Sequence, residues 1–189
     1  MRFARFIPCV LVTLAGAAAS QPVAVAPFRS VELRNGGEVL VRYGAAQGVE
    51  TLAGSPRITV GAGGRLVIDN GDSPHSPRPR IAVVTPILDA AAVNEGGKLV
   101  VQGGFPPQPA VTARVANGGM LDLRRFAVDG VTASVNQGGI ILVHPVGRLD
   151  ASISQGGNVT YWGNPVVKTS VKAGGAVARG RVEDMDKPL

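Results

Sequence analysis

Cysteine is almost absent from this 189-residue chain: the only one is Cys9. Everything after it lacks a thiol, which excludes disulfides, zinc–thiolate sites and a cysteine nucleophile together. Aromatic residues are scarce at 4%, although hydrophobic residues reach 45%, so any core must be aliphatic. No apolar run approaches the roughly 20 residues needed to span a bilayer as a helix. With only two histidines, His75 and His144, in separate segments, no cluster with metal-ligand spacing forms, and no metal or other cofactor is expected. Lys and Arg are scattered along the chain, so the formal charge of +6 argues for no nucleic-acid partner.

Glycine and proline are abundant, at 26 and 14 residues. Such punctuation disfavours long helices, and the glycines lack the three-residue period of collagen. Many short strands joined by turns are expected instead.

Residues 1–20 read MRFARFIPCVLVTLAGAAAS. A basic start (Arg2, Arg5), a short apolar run and then small residues make the three-part pattern of a secretory signal peptide. Leu14-Ala15-Gly16 begins like a lipoprotein box, but Ala17 stands where the lipidated cysteine would be. Without Arg2 and Arg5 the formal charge falls to about +4. An exported product is expected, resident in the periplasm, at the cell surface or outside the cell. Residues 21–27 read as a short linker and 181–189 as a tail.

Between them lies a repeat. Gly-Gly pairs fall at 36–37, 63–64, 96–97, 118–119, 138–139, 156–157 and 174–175, with an off-pattern pair at 103–104; the last five regular pairs are spaced by 22, 20, 18 and 18 residues. Aligning on these pairs produces columns. Before the glycines stand VTARV, VTASV, LDASI and VKTSV; after them Leu99, Leu121, Ile141, Val159 and Val177 share one position. Each segment alternates apolar and polar, the period of a strand with one buried face. The alanine column Ala113, Ala133 and Ala151 marks a crowded interior.

Two architectures use this pattern. In a parallel β-solenoid each unit is one coil, and Gly96, Gly97, Gly118, Gly119, Gly138, Gly139, Gly156, Gly157, Gly174 and Gly175 form its corners. In a β-sandwich each pair is a hairpin turn. Recurrence of the same residue type in successive units favours the solenoid. Within the domain, 28–180, residues 28–68 are irregular, 69–80 form a Pro-rich loop and 81–180 carry the regular repeats.

The order Phe28-x-x-Val31-x-Leu33, then Val83-Val84-Thr85-Pro86-x-Leu88, then NVTYWGNPVVKTSVKAGGAV over 158–177, resembles the head GIN domain family of autotransporter adhesins. The resemblance spans about 28–180. It implies a right-handed β-helix-like fold, an extracytoplasmic location and no established enzyme activity. The name "adhesin" fixes no ligand.

The outward columns hold the candidate binding residues: Thr112, Thr132, Asp150 and Lys168 in one, Arg114, Ser134, Ser152 and Ser170 in the other. Asp150 and Lys168 are expected to pair across coils. Tyr161 and Trp162 are placed near the C-terminal end as a cover for it. A polysaccharide-active enzyme would need carboxylates converging from neighbouring coils, with Asp122 and Asp150 as the acids to consider. No column offers two adjacent carboxylates. The expected function is non-catalytic binding or adhesion, to glycan or other envelope material. The alternatives are a structural element that self-assembles through coil ends and, third, an enzyme.

Overall fold

The computed structural model describes residues 25–71 and 78–187. Residues 1–20, read from the sequence as a signal peptide, and His75 lie outside the described residues, as do residues 72–77 of the expected Pro-rich loop. The chain is all-β. Its strands are β1 (Ser30–Arg34), β2 (Glu38–Tyr43), β3 (Gly48–Ala53), β4 (Arg57–Gly61), β5 (Arg65–Asp69), β6 (Arg80–Thr85) and β7 (Ala90–Asn94). They continue as β8 (Lys98–Val101), β9 (Gln108–Ala116), β10 (Met120–Asn136), β11 (Ile140–Ile153), β12 (Asn158–Tyr161), β13 (Val166–Val171) and β14 (Ala176–Arg179). One short 3-10 turn, Val182–Asp184, follows.

All fourteen strands belong to one open, curled sheet that falls into two rows. The first row runs β4-β5-β1-β7-β9-β10-β11-β13 and the second β3-β6-β2-β8-β10-β11-β12-β14. The long strands β10 and β11 join the rows: each starts in the second and ends in the first. Their middles pass through Asp129-Gly130 and Pro145 to Gly147, residue types common in turns. There the strands continue, and β10 shifts register against β11 at Leu123/Ala127 and Val128/Gly130. Those small and kinked residues bend a strand without ending it.

Every pairing is parallel except β3 with β6 and β4 with β5. Parallel neighbours in these rows are equivalent strands of adjacent units, so the sequence columns are also spatial columns. Ala91, Ala113, Ala133 and Ala151 lie side by side and buried, flanked by Val93, Val115, Val135 and Ile153. In the second row Val39, Leu99, Leu121, Ile141 and Val159 form the facing column, each fully buried. Each such aliphatic side chain contributes about 1.5–3 kcal/mol by leaving water.

The connection between rows is built on glycine. Asn35, Glu95, Asn117 and Gln137 have φ of 56–62°, and the two glycines after each are also left-handed. The second glycine sits under the next unit: Gly37, Gly97, Gly119, Gly139 and Gly157 accept hydrogen bonds from the backbone N–H of Lys98, Met120, Ile140, Asn158 and Ala176 at 2.9–3.1 Å. A Cβ on Gly119 would lie 2.6 Å from Val93 Cγ1 and 3.1 Å from Gly97 O, a separation no side chain tolerates without movement.

Two features depart from the sequence columns. The pair Gly63-Gly64 turns the antiparallel hairpin between β4 and β5. The β5/β6 unit also stacks against β1/β2 on the side away from β7/β8, so spatial order reverses chain order there. A proline makes this unit fit: Pro79 O accepts from Glu38 N at 2.8 Å, as a corner glycine carbonyl does elsewhere. The antiparallel strands β3 and β4 close this end of both rows. The opposite end, β13 and β14, has no strand beyond it among the described residues.

Candidate binding surface

The outward side chains of the first row form two continuous lines across the strands. One line is Ser30, Ala90, Thr112, Thr132, Asp150 and Lys168; the next is Glu32, Ala92, Arg114, Ser134, Ser152 and Ser170. All eight candidate residues named from the sequence therefore share one face. Thr112, Ser134 and Asp150 are half-buried and the other five exposed.

The face is not flat. Strand β7 turns only Ala90 and Ala92 outward from its centre, between Ser30 and Glu32 on one side and Thr112 and Arg114 on the other. A groove of about 410 Å³ results, with alanine methyls as floor and Glu32, Arg65, Thr112 and Arg114 among its walls. The sequence reading missed it, although the signal was available. Counting six and four residues back from Gly96 gives Ala90 and Ala92, the short members of columns that elsewhere carry Thr, Arg, Ser or Asp.

The two walls differ electrostatically. Glu32 is held by Arg34 at 2.7 Å and by Arg65 at 3.6 Å. The hydrogen bond to Glu32, then its charge, raises the Arg34 guanidinium pKa above its ordinary value. Arg114 faces Ala92 on one side and Ser134 on the other, and no ion pair joins it to a described residue. Asp150 and Lys168 are in register, but the ion pair of Asp150 is with Arg148 in its own strand, at 3.1 Å. Two residues apart on one strand, Arg148 and Asp150 share a face, which makes this the shorter reach.

Among the described residues Asp122 and Asp150 do not converge. Asp150 lies on the first row, whereas Asp122 lies on the second, bound to Arg124 at 2.7 Å, both nearly buried. That hydrogen bond, ahead of other causes, raises the Arg124 guanidinium pKa. Among the described residues no three of His, Cys, Asp and Glu gather into a metal-binding group. His144 is half-buried in β11.

The aromatic pair separates. Tyr161 lies in the inward column between Val143 and Arg179. Trp162 points outward and is only 5% exposed, because the C-terminal tail crosses over it. Trp162 Nε1 donates to Arg181 O at 2.8 Å, and Arg124 Nη1 donates to Asp184 O at 2.8 Å. The tail thus runs back across the second row from the β14 unit towards β10. Near it the second row carries the outward apolar residues Met120, Ile140, Leu142 and Ala178.

Residues 109–165 match the family model described as "Putative auto-transporter adhesin, head GIN domain". No curated protein matches the chain. Among solved structures, a putative adhesin from Bacteroides fragilis is similar at 15% identity and a TM-score of 0.45, covering 85% of this chain and 96% of its own. A putative adhesin from Parabacteroides merdae follows at 12% and 0.35, and a "Putative lipid binding protein" from Parabacteroides distasonis at 10% and 0.35. Both alignments cover 88% of this chain and 98% of theirs. The sequence match stands by itself, and it covers the segment where the stacked columns are most regular. Across residues 109–165 the chain is thus similar to the head GIN domain family.

Proposed function

We propose that the chain is an exported, non-catalytic binding module, a right-handed β-solenoid whose outer first-row face meets glycan or other cell-surface material. The groove over Ala90 and Ala92 carries this reading. It is concave and combines an apolar floor with hydroxyl, carboxylate and guanidinium groups on its walls, the mixture that small-ligand sites use. It is built on in-register strands, so its groups are held with little freedom to lose on binding. The family description supports adhesion, and among the described residues Glu32 is the one carboxylate lining the groove. Among the described residues no helix is long and apolar enough to cross a membrane.

The test is retention of purified protein on a glycan and cell-surface array, beside Ala92→Trp, which fills the groove from its floor. Saturable retention lost in the variant, with an unchanged melting temperature, supports the reading. Retention that survives Ala92→Trp places binding elsewhere.

A second reading has its own observation. Val166 and Val171, at the open end, are 76% and 46% exposed. An uncovered strand edge with apolar side chains favours self-assembly. Concentration-dependent oligomers that vanish on Val166→Lys would favour a structural role.

A further inference from the structure

We infer that the groove takes a carboxylate-bearing saccharide, with Arg114 as the anchor for the ligand carboxylate. The inference rests on the binding reading above and names the ligand chemistry for that site.

The charges on the walls lead to it. Among the described residues Glu32 is the one carboxylate lining the groove, and Arg34 and Arg65 already pair with it. Arg114 is left as an uncompensated cation, because both its in-register neighbours, Ala92 and Ser134, are uncharged. A guanidinium presents a planar fork of donors that matches a carboxylate in bidentate fashion.

The dimensions narrow the ligand further. Glu32 and Arg114 stand on strands either side of β7, about 9.6 Å apart at two strand spacings. A sugar ring spanning that gap would lay its C–H face on the Ala90 and Ala92 methyls. Its hydroxyls would reach Ser30 and Glu32 on one side and Thr112 on the other. One free cation opposite one carboxylate suits a saccharide that places a single carboxylate and several hydroxyl groups in the groove. It does not suit a nucleic-acid backbone, which asks for several cations in line.

Calorimetric titration of purified protein tests this with three probes: an oligogalacturonide, the same oligomer with its carboxylates reduced to alcohols, and a sulfated oligosaccharide. The oligogalacturonide should bind saturably. Arg114→Ala should weaken it by about tenfold or more, the loss of a charge-assisted bidentate contact. Arg114→Lys should retain only part of the affinity, and Lys172→Ala, which changes net charge equally but lies off the groove, should leave it unchanged. Equal binding of the reduced oligomer, abolished by Ala92→Trp but untouched by Arg114→Ala, overturns the acidic-sugar inference and leaves the groove reading intact. Preference for the sulfated probe also overturns it. If none of the three probes binds, the inference fails; retention on the array, lost in Ala92→Trp, then decides the wider reading.

Discussion

Substituting Gly118 and Gly119 with alanine, one at a time, separates two roles that the sequence merges into one motif. Both glycines are left-handed, with φ of 82° and 101°. Around Gly118 there is nothing within 4 Å of an added Cβ. Gly118→Ala therefore bears only the conformational cost of a left-handed L-residue, about 1–2 kcal/mol. At Gly119 the backbone cost recurs, and the methyl also meets Val93 Cγ1 at 2.6 Å and Gly97 O at 3.1 Å. Overpacking of that kind adds about 1–3 kcal/mol, giving a total of about 2–5 kcal/mol. The clash falls on the preceding unit, so it exists only because the corners stack. Urea unfolding followed by circular dichroism reads both variants against the parent. Gly119→Ala should lose clearly more stability than Gly118→Ala. Equal losses, or a milder effect at Gly119, would show that the second glycine does not lie under its neighbour.

Other expectations follow from the core, the tail and the loop. Ala133→Leu should destabilise by about 1–3 kcal/mol, because Ala133 is fully buried between Ala113 and Ala151; unfolding by urea measures it. Asp122→Ala leaves Arg124 buried and unpaired, a change that typically costs about 3–5 kcal/mol. It should also loosen the tail, and Trp162, the sole tryptophan, should then report solvent exposure by a red-shifted fluorescence. Asp69 accepts from Gly71 N and Asn35 Nδ2, both at 2.8 Å, and these bonds hold its carboxyl below the ordinary carboxylate range. A depressed folded-state pKa contributes stability above the unfolded value, near pH 4, and that contribution disappears as pH falls through the folded pKa. The melting temperature of Asp69→Asn should thus lie below the parent's at neutral pH, and the gap should close in acid.

Much of this was legible because a repeated unit prints its geometry in the sequence. Ala113, Ala133 and Ala151 recur at one offset from the glycines, and their common burial follows from that offset. Outward Thr132 and Ser134 were equally readable, since strand alternation assigns each residue a side. What escaped depends on neighbours distant in sequence. The Gly63-Gly64 pair resembles the others, yet it closes a hairpin because β5 pairs with β4 as well as with β1. The inverted place of the β5/β6 unit rests on Pro79 reaching Glu38, 41 residues away. Trp162 looked like an end cover; it is instead the ledge on which the tail lies, because Arg181 and Asp184 offer carbonyls to Trp162 and Arg124. The groove is a lateral feature, visible only when Ala92 is set between Glu32 and Arg114.

The account rests on rows of equivalent residues standing beside one another, since these rows build the outer face. Cysteines introduced at Ser134 and Ser152, in a chain with Cys9→Ser, test that directly. The two positions are in-register neighbours, about 4.8 Å apart, within the Cα separation a disulfide accepts. Mild oxidation should give an intramolecular disulfide in this variant. It should give none with Ser134→Cys and Ser170→Cys, two strand spacings apart. Cross-linking of the distant pair as readily as the near one, or of neither, would contradict the register from which the groove and its proposed ligand are argued.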